Sequence, residues 1–125
     1  MSSQADALRK RSRDFAVRIL RLVRTLPKDV AADTVARQLA RSGTAISANY
    51  HATGRARSRA EFIAKLGLVV EEADETEHWL TVARESGVAS GTELDWLTRE
   101  SSELRAIFCA ALRTARLNHR RPDRV

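Results

Sequence analysis

The chain has one cysteine, two prolines, five glycines and six aromatic side chains in 125 residues. Each scarcity excludes something. A lone thiol, Cys109, rules out an internal disulfide and a cysteine-based metal cluster. With glycine so sparse there is no phosphate-cradling loop. No apolar run approaches the ~20 residues of a membrane span. Met1 to Arg13 is polar and charged, without the apolar segment of a signal peptide. The expectation is a cytoplasmic, bacterial-type protein with no membrane contact. No stretch alternates as a strand does, and no segment repeats.

What remains is helix-former composition, rich in Ala, Leu, Arg and Glu. At 125 residues the chain is read as a single domain, 1–125, with a modest core. Its formal net charge is +6, and the charge is sorted by segment. Met1 to Ala60 holds thirteen Lys/Arg against four Asp/Glu, and no glutamate. Glu61 to Leu104 holds three against eleven, and Arg105 to Val125 six against one. Such sorting favours packing between unlike helices and leaves basic ends for a polyanion.

Apolar periodicity predicts four helices, at about 6–25, 29–53, 58–86 and 92–117, with a flexible tail over 118–125. The first has a seam of Leu8, Ser12, Phe15, Ile19, Leu22 and Leu26 and stops before Pro27, which cannot donate the next backbone bond. The second has Val35, Leu39, Ser42, Ile46, Asn49 and Thr53, with Gly43 marking a close helix contact and Gly54 a left-handed C-terminal residue. The third opens on a Ser58–Glu61 capping box, carries Phe62, Leu66, Val69, Ala73, Thr76, Leu80 and Ala83, and stops at Gly87. The fourth, capped by Ser90 or Thr92, carries Leu94, Leu97, Ser101, Leu104, Phe108, Ala111 and Ala115. Arg113 and Arg116 fall where its dipole favours cations. Short connections make consecutive helices neighbours, so the predicted fold is all-α, an antiparallel up-down-up-down four-helix bundle.

Apolar residues exceed what one core uses. Val17 and Leu20 point away from the first seam, and Trp79 and Trp96 are suited to anchor an interface. These four are the candidate surface for a homo-oligomer.

The order Arg41-Ser42-Gly43-Thr44, Asn49-Tyr50, Arg55-Ala56-Arg57-Ser58, Glu61-Phe62, Lys65-Leu66, Glu71 to Thr76 and Trp79-Leu80 closely resembles the bacterial four-helix bundle proteins, also called the 23S rRNA intervening-sequence protein family. The resemblance spans about Phe15 to Arg116. Where many members read Ile-Pro-Ala-Asn and Glu-Gly on the second helix, this chain has Ile46-Ser47-Ala48-Asn49 and Thr53-Gly54. It implies a homopentameric ring and no enzymatic activity. It is also similar to the accessory variability protein of diversity-generating retroelements, which implies RNA or DNA, or a reverse transcriptase, as partner.

No catalytic constellation emerges. Glu75-Thr76-Glu77-His78 has the Glu-x-x-His spacing of di-iron bundles, but Thr76 holds the seam, so Glu75 and His78 face outward, and there is no second copy of the motif. His51 and His119 stand alone, and no Ser or Cys adjoins a His–acid pair. No metal or other cofactor is expected. Cys109 reads as a buried, inert thiol. Ser42, Asn49, Thr76 and Ser101 form a polar layer on the seams, read as a hydrogen-bonded register device or as a small-molecule pocket centred on Asn49. Glu72 and Glu77 are expected to pair with Arg41 and Arg18.

The basic residues carry the functional hypothesis. Lys10, Arg13, Arg21 and Arg24 lie off the first seam, Arg55, Arg57 and Arg59 crowd the entry to the third helix, and Arg120, Arg121 and Arg124 decorate the tail. Nineteen of the 22 cations are arginine, which suits bidentate phosphate contact. They read as phosphate-directed contacts with little sequence preference, or as solubilising charge on a scaffold.

Overall fold

The structure, a computed structural model, describes residues 3–120. It is all-α: α1 (Ser3–Val23), α2 (Val30–Thr53), α3 (Arg59–Glu85) and α4 (Thr92–His119), with no strand among the described residues. Each helix packs on its neighbours in the chain and α1 also packs on α4, while the backbones of the diagonal pairs, α1 with α3 and α2 with α4, stay apart. The arrangement is that of a four-helix bundle around one core.

The seams fill that core. Phe15, Ile19, Leu39, Ile46, Leu66, Leu80, Leu94, Leu97, Leu104 and Phe108 are fully buried. Burying side chains of this size is worth about 1.5–3 kcal/mol each. Gly43 allows α1 and α2 to close, since a Cβ there would lie 2.9 Å from Ile19 Cγ2.

The helix ends differ in detail from expectation. α1 stops at Val23, because the chain ahead of Pro27 tightens into three-residue turns: Thr25 N–H bonds Leu22 O at 2.9 Å and Leu26 N–H bonds Val23 O at 3.2 Å. Asp29 caps α2 by accepting from Ala32 N at 2.8 Å. Gly54 is right-handed (φ −67°), not left-handed, because the turn into α3 continues with three-residue bonds from Arg55 N–H and Ala56 N–H. Its lack of a Cβ leaves room instead for the Arg9 guanidinium, 3.2 Å from where a Cβ would stand. Ser58 Oγ accepts from Glu61 N at 3.0 Å as the capping box requires, but Glu61 Oε1 reaches back to Arg57 N at 3.3 Å.

Gly87 takes the left-handed turn after α3 (φ 77°). Neither Ser90 nor Thr92 caps α4. Gly91 holds that position at φ 100°, with no side-chain cap. Asn118 and His119 belong to α4 and Arg120 N–H bonds Arg116 O at 3.1 Å, so the chain is ordered further than the predicted boundary at 117. No helix is long and apolar enough to cross a membrane.

Candidate nucleic-acid interface

Ion pairs use up most of the acid. Across α1 and α4, Arg11 Nε and Nη2 each donate at 2.7 Å to Glu100, whose carboxylate is nearly buried, and Nη2 also reaches Glu103 at 2.9 Å. One face further along, Arg18 grips Glu93 through Nε (2.9 Å) and Nη2 (2.7 Å) and stacks 3.5 Å over the Trp96 ring. Those hydrogen bonds hold the Glu93 carboxyl below the usual range. Between α2 and α3, Arg41 bonds both Glu72, at 3.2 Å, and Glu75, whose carboxyl is thereby lowered. The expected Arg41–Glu72 pair is present. The expected Arg18–Glu77 pair is not: the backbones of α1 and α3 stay apart, and Glu77 pairs across α4 instead, 3.1 Å from Arg105 Nε and accepting from Ser102 Oγ.

The basic residues behave differently. Arg55, Arg57 and Arg59 are all exposed on the turn into α3, whose N-terminal N–H groups favour anions. Arg57 lies 3.6 Å from Glu61, while Arg55 and Arg59 form no salt bridge among the described residues. Arg9 reaches the same end of the molecule, beside Gly54. So does the C-terminal part of α4. Tyr50 of α2 stacks on Phe108 with ring centroids 5.0 Å apart, and Arg113, Arg116 and Arg120 line a recess that α4 shares with Val70 of α3. Arg113 and Arg116 had been read only as partners of the helix dipole. Their spacing with Arg120, three and then four residues, puts all three on one helical stripe.

The remaining candidates do not join that end. Lys10 is exposed and tied to Asp14 at 2.8 Å, and Arg13 is exposed beside it. Arg21 is exposed near the other end of α1, about 18 Å from Arg9 along the axis at 1.5 Å per residue, and Arg24 is exposed just beyond that end. Arg121 and Arg124 lie outside the described residues.

The polar layer resolves into separate parts. Ser42 Oγ donates to Gln38 O at 2.8 Å and Thr76 Oγ1 to Glu72 O at 2.7 Å, each within its own helix. Ser101 Oγ is buried and has no partner among the described residues. Asn49 is only half-buried. The layer therefore makes no bond from helix to helix among the described residues, and none of the four side chains borders the α1–α4 cleft or the recesses at Arg18, at Thr53 and at Cys109. A cleft of about 580 Å³ opens between α1 and α4, bordered by Leu8, Arg11, Tyr50, Ile107 and Thr114. Burial pushes the Tyr50 phenol above its ordinary value.

Cys109 is half-buried at the edge of the α4 recess, not fully buried, because its place on the helix is turned towards α3 and solvent rather than the seam. Glu75 is engaged by Arg41 and His78 packs edge-on to Trp79 at 5.1 Å. Trp79 and Trp96 are themselves half-buried against the core, whereas Val17 and Leu20 are each 42% exposed.

An all-α fold of four helices with a buried ion-pair clasp and an arginine-lined end defines a class of small bundle proteins without naming one. The sequence comparison names it. A model of the 23S rRNA-intervening sequence protein family matches residues 6–110, and the chain belongs to that family. A crystal structure of a protein of unknown function from the S23 ribosomal protein family, from Bacteroides thetaiotaomicron VPI-5482, is similar, with a TM-score of 0.78 and 30% identity. The match covers 87% of this chain and 97% of that one. No functionally curated protein matches the chain.

Proposed function

We propose that this protein is a non-enzymatic, cytoplasmic homopentamer of up-down-up-down bundles that binds nucleic acid, RNA first, through its arginine-lined end. One observation carries the reading. The described carboxylates are mostly consumed by internal salt bridges, while Arg55, Arg59, Arg113, Arg116 and Arg120 gather at one end, exposed and in no salt bridge among the described residues. Unneutralised arginines on a common surface release counterions from a phosphate backbone and give affinity with little base preference. The order of the α1–α4 pairs supports antiparallel neighbours: advancing from Arg11 to Arg18 moves the partner back from Glu100 to Glu93. Exposed Val17 and Leu20 support self-association.

Fluorescence anisotropy with a structured RNA and a DNA duplex, at low and physiological salt, tests the binding. The expected result is affinity that falls steeply with salt, and its loss in an Arg55→Glu/Arg57→Glu/Arg59→Glu variant that keeps its oligomeric state. No binding even at low salt would overturn it. In that case the second reading stands, a scaffold ring with a protein partner such as a reverse transcriptase, for which a pull-down is the readout.

A further inference from the structure

Almost every described carboxylate has an internal partner or caps a helix. Glu71, Asp74 and Glu85 alone, among the described residues, do neither. All three are exposed on α3, and at 100° per residue they fall within an arc of about 60°. The Lys and Arg residues of α3, Arg59, Lys65 and Arg84, lie outside that arc, and His78 lies within it. Leu68 stands about 60° to one side of it, 46% exposed. Gly67 lies in it, deep inside a helix where glycine costs about 1 kcal/mol against alanine. Gly43 is explained by Ile19 packing on it, but a Cβ on Gly67 would meet nothing within 4 Å. The fold of one chain gives no reason for this glycine. Close approach by another helix does.

The opposite charge waits on α1. Arg13, Arg21 and Arg24 are exposed, form no salt bridge among the described residues, and flank the exposed Val17 and Leu20. Since α1 and α3 each pack on α2 and α4 while their own backbones stay apart, their outward faces point to opposite sides of the molecule.

We infer that the acidic, glycine-notched face of α3 docks on the basic, apolar face of α1 in a second copy of this chain. This rests on the self-association proposed above and names the two surfaces it uses. Leu68 meets the Val17–Leu20 patch where Gly67 lets the backbones approach. The unpaired charges ring that contact and fix its register. Two different patches on opposite sides meet, so the contact is head-to-tail and propagates until the rotation closes a ring. It also withdraws Arg13, Arg21 and Arg24 from the residues free to meet phosphate, leaving nucleic acid to the arginine-lined end.

Charge reversal on the full-length chain tests it, with assembly followed by sedimentation velocity over a concentration series at physiological salt and helicity by circular dichroism. Arg13→Glu/Arg24→Glu and Glu71→Arg/Asp74→Arg should each weaken association about tenfold or more while remaining helical. Joining all four substitutions in one chain should restore assembly, because both faces are then inverted together. Gly67→Gln, which suits a helix and faces open space in a single copy, should keep helicity and weaken assembly. A wild-type chain that stays monomeric would sink both this inference and the self-association it rests on. An oligomer indifferent to either reversal, or to Gly67→Gln, would sink this inference alone. So would a quadruple variant that fails to reassemble.

Discussion

Arg11→Met is the sharpest probe of how this bundle is closed. The Glu100 side chain is 10% exposed, and Arg11 donates two hydrogen bonds to it at 2.7 Å. Methionine keeps the aliphatic stem of Arg11 and removes only the guanidinium, so the change isolates a carboxylate left in the α1–α4 seam. Stranding one member of a fully buried pair costs about 3–5 kcal/mol. Two features reduce that here. Arg11 itself is 37% exposed, which admits solvent screening, and the Arg18 guanidinium lies close enough to sense the Glu100 charge. The expected loss is therefore about 2–3 kcal/mol. With an unfolding entropy near 2.1 cal/mol/K per residue, that lowers Tm by about 8–12 °C for a chain this long. Adding Glu100→Leu should recover most of the loss, since removing both charges leaves neither unsatisfied. Urea unfolding followed by circular dichroism, at one fixed protein concentration because assembly contributes to apparent stability, measures both variants. If Arg11→Met stays within about 0.5 kcal/mol of wild type, or the double variant is worse than the single, the clasp is not what closes α1 on α4.

Gly43→Ala should destabilise by about 1–3 kcal/mol because its methyl would press on Ile19 Cγ2 at 2.9 Å and Cγ1 at 3.0 Å, and in an Ile19→Ala background, which removes both of those atoms, the same change should cost clearly less in chemical denaturation. Ser101→Ala should leave stability unchanged or raise it by up to about 1 kcal/mol, since the lost hydroxyl is buried without a partner, and a clear loss would restore the idea of a bonded polar layer. Glu93 and Glu75 are both held below the usual carboxylate range, so their contribution is present above the unfolded value and disappears as pH falls through the lower folded one. Stability should be level from pH 8 to about 5 and decline below about 4, with Glu93→Gln flattening that acid limb in thermal melts.

Periodicity carried the helices because the seams are local: a residue every three or four positions points to the core whatever lies opposite. Phe15, Ile19, Leu66, Leu80 and Phe108 were all legible in this way, and so was the close approach at Gly43. Partners across helices were legible only where the neighbour was fixed by chain order. Arg41 finds Glu72 because α2 and α3 are consecutive, whereas Arg18 was matched to a helix it cannot reach. The strongest clasp, Arg11 with Glu100, joins residues 89 apart and has no signature in either segment alone. Asn49 was misplaced for a different reason: its seam position lies near the edge of the buried stripe, where a small rotation decides between core and rim. The stripe of Arg113, Arg116 and Arg120 was visible in the spacing but was assigned to the helix dipole, an explanation that needs only one cation.

Charge sorting by segment takes on a different sense once the pairs are known. The acidic block from Glu61 to Leu104 spans α3 and the first half of α4, the two elements that must receive arginines from α2 and α1. Its excess over those needs is Glu71, Asp74 and Glu85, all on one exposed face. Most of the basic excess divides likewise into the outward side of α1 and the end formed by Arg55, Arg59, Arg113, Arg116 and Arg120, with Lys28, Lys65 and Arg99 outside both groups. A chain whose charges served only solubility would have no cause to leave its unmatched signs on separate faces, since mixed surfaces dissolve as well. In the contact inferred above, separate faces of opposite sign would draw copies side to side, and a basic end left outside that contact would stay available in every copy. In the assembly and binding proposed above, the two would reinforce one another, because copies held together would present several arginine ends to one phosphate chain and each added contact would be intramolecular.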